Sequence, residues 1–131
     1  MLLERKEFNR LVFNRDNGTC VFCDKPAVDA HHILDRKLFV DGGYYLNNGA
    51  SVCEDHHWGC ETTLITVEQV REACGITEKI LPQEFDKSII YDKWGNELID
   101  NVMRRPGPLF KDDGVQKIFK KNGLLWTFLG L

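Results

Sequence analysis

The sequence predicts a small α+β fold with an N-terminal helix, a compact cross-linked middle and a C-terminal extension. Three observations predict it. Stretches with apolar residues at helical spacing alternate with short apolar runs bounded by turn residues, the pattern of short helices mixed with short strands. Cys20 and Cys23 form Cys-x-x-Cys, and Cys53 stands three residues before His56, spacings that suit metal ligands. All four histidines fall in two adjacent pairs, His31-His32 and His56-His57, where an ordinary domain scatters them. Clustered Cys and His point to a bound metal.

The elements follow in order. Residues 2–14 carry Leu3, Phe8, Leu11 and Val12 at roughly helical spacing between charges, and Arg15-Asp16-Asn17-Gly18 ends that helix with turn chemistry. Cys20 to Cys23 makes a tight loop closed by Asp24-Lys25-Pro26. Val28 to Leu34 and Ala50 to Cys53 read as short strands, separated by a loop over residues 41–49. A short helix begins near Asp55. Thr66 and Gln69 then form a capping box for a helix that runs to Gly75. Ser88 to Tyr91 and Glu97 to Ile99 can pair as a hairpin around Gly95-Asn96. Asp112 or Asp113 caps a last helix over Val115 to Lys121, ended by Asn122-Gly123. The chain divides into a core over residues 1–65 and an extension over residues 66–131.

With 131 residues, 28% charged and 43% hydrophobic, the chain suits one domain. Its apolar runs fall short of the ~18 residues needed to span a bilayer. Charge enters at Glu4, so no signal peptide is expected, and the thiols belong in a reducing cytosol rather than in disulfides. The net charge of −3 hides segregation: residues 54–100 carry −7 and residues 101–131 carry +4. That basic segment suits phosphate contact or a solvated helix face, and Arg104-Arg105 a phosphate-contacting arm or a turn.

A structural zinc needs four nitrogen or sulfur ligands, usually supplied as two short-spaced pairs. Cys20 and Cys23 are one pair. Cys53 with His56 is the preferred second pair, with Cys60 as the alternative partner, because x-x spacing matches a knuckle turn. Other zinc chemistries fail on spacing. A two-Cys, two-His finger needs about twelve residues between its pairs. A zinc deaminase needs His-x-Glu and Pro-Cys-x-x-Cys, and the chain has neither.

On a helix starting near Asp55, His57 and Glu61 share one face at i and i+4, while His56 and Cys60 share another. One helix can therefore serve a structural zinc and a second metal. At this point Phe13 to Cys23, Asp29-Ala30-His31-His32-Ile33, Gly42-Gly43, Asn48 and Cys53-Glu54-Asp55-His56-His57 together resemble the zinc-knuckle HNH endonucleases, the ββα-metal or His-Me finger nucleases. The resemblance covers about residues 8–62, in the family's order. Two positions depart from it: His56 stands where a second Cys is usual, and Glu61 where a His or Asn is frequent.

The resemblance implies a ββα-metal core and a role for each residue. His32 is the general base. His31, His57 and Glu61 are ligands of a catalytic ion, and Asn48 braces the loop that holds His32. Asp29 orients a metal-bound imidazole from behind, and Cys20, Cys23, Cys53 and His56 hold the structural zinc. Imidazole, with a reference pKa of about 6.5, suits deprotonation of water near neutral pH. Mixed nitrogen and oxygen donors accept Mg²⁺ or Mn²⁺ in use and bind Ni²⁺, Co²⁺ or Zn²⁺ more tightly.

Arg15, Arg36 and Lys37 flank the site and suit contact with backbone phosphates, or simple solvation. Trp58 reads as a core or knuckle aromatic. His31 and His32 pose a difficulty, since neighbours on a regular strand face opposite ways; they must lie at its end. The expected activity is metal-dependent cleavage of DNA by a monomer or homodimer, leaving 3′-hydroxyl and 5′-phosphate ends. A cytoplasmic, phage or mobile-element setting in a bacterial host is expected. The alternatives are a non-catalytic zinc-stapled nucleic-acid-binding module and an HNH nuclease acting on RNA.

Overall fold

A computed structural model describes residues 1–130. Among them are four α-helices and two small antiparallel sheets. Helix α1 spans Arg5–Arg15, strand β1 Asp29–His32, strand β2 Gly49–Val52 and helix α2 Glu54–Glu61. Helix α3 (Val67–Cys74), strands β3 (Glu97–Leu98) and β4 (Arg104–Arg105), and helix α4 (Asp113–Lys121) follow. None of these helices is long and apolar enough to cross a membrane.

The centre of the fold is the antiparallel pair β1–β2, in the register Asp29↔Val52 to His32↔Gly49. Its β2 side chains are buried on both faces, so something must cover each. Helix α1 covers one face, and its Phe8 and Val12 are fully buried there. Gly49 permits that approach. A β-carbon on it would come within 2.5 Å of Val12 and 2.7 Å of the Phe8 ring. The end of α1 also completes the sheet edge, because the Asp16 carboxylate accepts from the Ser51 N–H at 3.0 Å. Asn17 and Gly18, both at positive φ, then turn the chain away, as the turn residues predict.

Helix α2 starts directly after β2, with Glu54 and Asp55 in its first turn, where acidic side chains favour the positive end of the helix dipole. Helix α3 has the capping box expected of Thr66 and Gln69, with both reciprocal bonds present, and Gly75 closes it at φ 70°. One apolar core gathers Cys20, Ile33, Leu34, Val52, Cys53 and Cys60 with Val67 and Val70 of α3. The core thus crosses the residue 65/66 division.

The extension folds around a second core of Trp94, Val115, Phe119 and Phe128. Its hairpin differs in part from expectation. Tyr91 meets Glu97 in a single bridge, and β3 finds its strand partner further on, at β4. The tight Asp92–Asn96 turn closes that short pairing, and the Leu98 N–H still donates to the Ile90 carbonyl at 2.8 Å. The buried Asp92 carboxylate accepts from the N–H groups of Trp94 and Asn96, from the Asn96 side chain and from Arg104. Arg104-Arg105 is therefore no free arm: Arg104 pairs with Asp92 at 2.8 Å and Arg105 with Glu97 at 3.2 Å. Helix α4 begins at its Asp112 cap and ends at Asn122, as its sequence signals.

Candidate metal centre

Two clusters of donor side chains form where β1, β2 and α2 meet. The first joins the loop after α1 to the start of α2. The Cys20, Cys23 and Cys53 sulfurs and His56 Nδ1 all lie within 4.8 Å of one another. Cys53 Sγ is 3.2 Å and Cys20 Sγ 3.5 Å from His56 Nδ1, and Cys23 Sγ is 3.8 Å from Cys53 Sγ. Tetrahedral zinc with bonds of about 2.0–2.3 Å separates its ligands by roughly 3.4–3.8 Å. The four residues fit such an ion, and they could hold a structural metal such as zinc. His56 takes the fourth place. Cys60 instead lies outside the donor group, and burial pushes its thiol up to about 12. Within the cluster, the His56 backbone N–H leads the influences that draw the Cys53 thiol down, and this favours the ligating thiolate.

The second cluster lies on the other side of α2. Donor atoms of Asp29, His31 and His57 also lie within 4.8 Å of one another and could hold a cation. Asp29 opens β1, His31 sits near its end, and His57 projects from the first turn of α2. Asp29 thus supplies a donor of the group itself, where sequence suggested a supporting role. The cause is the packing of α2 across β1, which brings His57 Nε2 to 3.3 Å from the Asp29 carboxylate. Glu61 stands beside the group, with Oε1 at 3.3 Å from His57 Nε2 and a buried Oε2 that has no partner among the described residues. His31 Nε2 is likewise buried without a partner, and burial holds that imidazole well below its ordinary pKa. The convergence of Asp29, His31 and His57, with these orphaned atoms, fits a bound cation.

A cleft of about 280 Å³ opens over this group. Both His31 and His32 line it, although they are adjacent. They are the last two residues of β1, as the alternation of a regular strand requires. His32 stacks on Phe8 with ring centroids 4.7 Å apart and meets Tyr44 edge-on at 4.8 Å. Burial lowers its pKa to about 4, assisted by Lys93, and Asp35 and the Gly42 backbone oppose the shift. Asn48 is 1% exposed and lies beneath the loop. Its Oδ1 accepts from the Leu34 N–H at 3.0 Å, and its Nδ2 donates to the Leu34 and Gly43 carbonyls.

The flanking cations fare differently. Arg36 lines the cleft, and so does Arg5, which the sequence did not single out. Arg15 does not reach out to a ligand: its guanidinium pairs with Asp16 and donates to the carbonyls of Leu46 and Gly49. It locks α1 to the sheet. Lys37 pairs with Asp112 at 3.1 Å and ties the extension to the core. Trp58 is 47% exposed and belongs to no core; Lys121 Nζ lies 5.7 Å from its ring centroid. Lys93 was not visible as a site residue, since a lone lysine in an acidic segment follows no pattern, yet it is buried in the wall of the cleft.

No protein family, curated protein or solved structure matches the chain.

Proposed function

We propose that the protein is a metal-dependent endonuclease of the HNH, or ββα-metal, kind, hydrolysing DNA phosphodiester bonds with His32 as general base. One juxtaposition carries the reading: the donors of Asp29, His31 and His57 share a single cleft with a third imidazole, His32, whose buried Nε2 has no partner among the described residues. The β1–β2–α2 order and the separate Cys3His cluster support it.

A divalent cation held by Asp29, His31 and His57, with Glu61 beside them, would stabilise charge on the phosphate and on the leaving 3′ oxygen. Mg²⁺ or Mn²⁺ suits that role, and Ni²⁺, Co²⁺ or Zn²⁺ would bind more tightly. The side chains do the rest. His32 Nε2 accepts the proton of the attacking water, and Phe8 and Tyr44 hold its ring in place. Asp29 and Glu61 each bring a carboxylate oxygen to 3.3 Å from His57 Nε2, so the three donors converge where the cation would sit. Asn48 fixes the Leu34 turn immediately beyond His32. Arg5 and Arg36 offer guanidinium donors to the phosphates on either side. One such site cuts one strand, so a monomer nicks and a dimer can cut both.

The test is supercoiled-plasmid cleavage in Mg²⁺ or Mn²⁺ by wild type and His32→Ala, matched for zinc content and melting temperature. Cleavage by wild type and a loss of at least a hundredfold in the variant is expected. Equal cleavage by both would remove His32 from the role of base. If wild type fails on DNA, parallel RNA cleavage and DNA-binding assays distinguish an RNA nuclease from a zinc-stapled binding module.

A further inference from the structure

Lys93 is a buried cation in the wall of the cleft that the reading above leaves unused. It comes from the extension, far along the chain from the β1–β2–α2 unit, and is 5% exposed. Its Nζ donates to the main-chain carbonyl of His32 at 2.7 Å and lies 3.9 Å from Asp35 Oδ1. Its own carbonyl accepts from the Asp35 N–H at 3.0 Å. The Lys93 side chain and main chain therefore grip both ends of the turn that follows β1. The neighbouring Trp94 donates its indole N–H to the carbonyl of Glu61 at 2.9 Å, so the same segment holds the end of α2 as well.

Charge makes the placement more than a brace. A buried ammonium is costly unless it answers nearby negative charge. Lys93 lines the same cleft as Asp29, Asp35 and Glu61; burial draws its pKa down and those carboxylates oppose the shift, and Asp29 and Glu61 also belong to or border the cation-binding group. A fixed positive charge here offsets part of their charge and must compete with any cation they hold.

We propose that Lys93 is a positioning residue of the site: it fixes the end of β1 through the His32 carbonyl and moderates the hold of the Asp29–His31–His57 group on its cation. The assignment rests on the nuclease reading of the same cleft. It gives the extension a part in the site, through Lys93 and Trp94.

The experiment compares wild type, Lys93→Met and Lys93→Arg as zinc-loaded protein. Mn²⁺ is titrated calorimetrically, and plasmid nicking is resolved into kcat and KM. Methionine keeps most of the side-chain length and removes the charge and the donor. Lys93→Met is expected to bind Mn²⁺ roughly three- to tenfold more tightly, since one positive charge has gone from a partly buried site. It should also lose at least tenfold in kcat with KM within twofold, and Lys93→Arg should restore both toward wild type. A merely structural role predicts the opposite sign for the metal, because a disordered site binds it more weakly. Unchanged or weaker Mn²⁺ binding by Lys93→Met overturns the proposal, and so does tighter binding with kcat unaltered. If wild type itself does not nick DNA, the nuclease reading falls and the Mn²⁺ titration alone decides the role of Lys93.

Discussion

Asn48 and Leu34 hold each other by two hydrogen bonds, the Leu34 N–H donating to Asn48 Oδ1 and Asn48 Nδ2 donating to the Leu34 carbonyl, each at 3.0 Å. The pair lies just past the last rung of the β1–β2 ladder, where the Ile33 N–H still finds the Asn48 carbonyl at 2.9 Å. The amide side chain thus stands in for one more strand residue. It carries the pairing around the corner after His32, where the backbone of β2 has already turned away into the loop. A third bond, to the Gly43 carbonyl, fixes that loop from beneath.

Asn48→Ala should accordingly be among the most damaging single changes outside the metal ligands. It strands the Leu34 N–H and two carbonyls in a buried site, and each unsatisfied group costs about 1–3 kcal/mol. A loss of about 3 kcal/mol in urea unfolding is expected. Asn48→Asp should not rescue it, because a carboxylate keeps the acceptor for Leu34 N–H but turns oxygen toward two carbonyls. Aspartate as stable as wild type would refute the role of the donor amide.

The Cys3His cluster predicts a distinct pair of outcomes. Cys23→Ser should lower bound zinc from one per chain toward none and depress the melting temperature, since Cys20 and Cys53 of the same cluster are part of the main apolar core. Cys60→Ser should keep its zinc, because Cys60 lies outside the donor group. Elemental analysis of Cys60→Ser decides between His56 and Cys60 as the fourth ligand, with Cys23→Ser as the zinc-free control. Zinc lost from Cys60→Ser in a folded protein would reverse the assignment.

Thiol chemistry adds a dependence on pH. Burial pushes Cys60 up to about 12 and Cys74 up to about 11. The thiolate is the nucleophile, so at pH 8 only about one molecule in ten thousand and one in a thousand, respectively, is reactive at these positions. Alkylation of the native, zinc-loaded protein followed by peptide mass spectrometry should leave both cysteines unmodified at pH 8. Their rates should then rise about tenfold per pH unit toward pH 10, for as long as the fold persists. Chelation should first expose Cys20, Cys23 and Cys53. Rapid labelling of Cys60 ahead of these three would contradict its place in the core.

What the sequence revealed and what it concealed follow from the range of each interaction. The Cys-x-x-Cys pair, the Thr66–Gln69 capping box and the Asp112 cap are local chemistry, set by residues three apart, and they were legible. His56 was preferred over Cys60 for the same reason. The place of Asp29 was not legible, because it depends on how α2 crosses β1, a matter of packing between segments more than twenty residues apart. Arg15 looked like any cation flanking a site; only the docking of α1 shows its guanidinium turned inward onto Leu46 and Gly49. Trp58 carries the opposite lesson: beside His57 it reads as a core or knuckle aromatic, and it is 47% exposed with the Lys121 ammonium near its ring. Lys93 lay hidden in the most acidic stretch of the chain, where the acidic balance suggested nothing of a buried cation.

Gly49 links the packing of α1 to the proposed base, and the link can be measured. The backbone there is ordinary extended chain, at φ −129° and ψ 146°, so a side chain is opposed only by what it would strike. Alanine would press on Val12 and on the Phe8 ring, and that ring is the surface on which His32 stacks. Overpacking of this kind costs about 1–3 kcal/mol. Gly49→Ala should therefore lower stability by that amount and slow plasmid cleavage, through displacement of Phe8 against His32. Phe8→Leu alone opens space and costs stability of its own, but in the double variant the smaller side chain relieves the clash. The two changes should thus cost less together than the sum of each alone, with a coupling of about 1 kcal/mol in a double-mutant cycle. Strict additivity of stability would show that α1 yields elsewhere and that Phe8 does not transmit the strain.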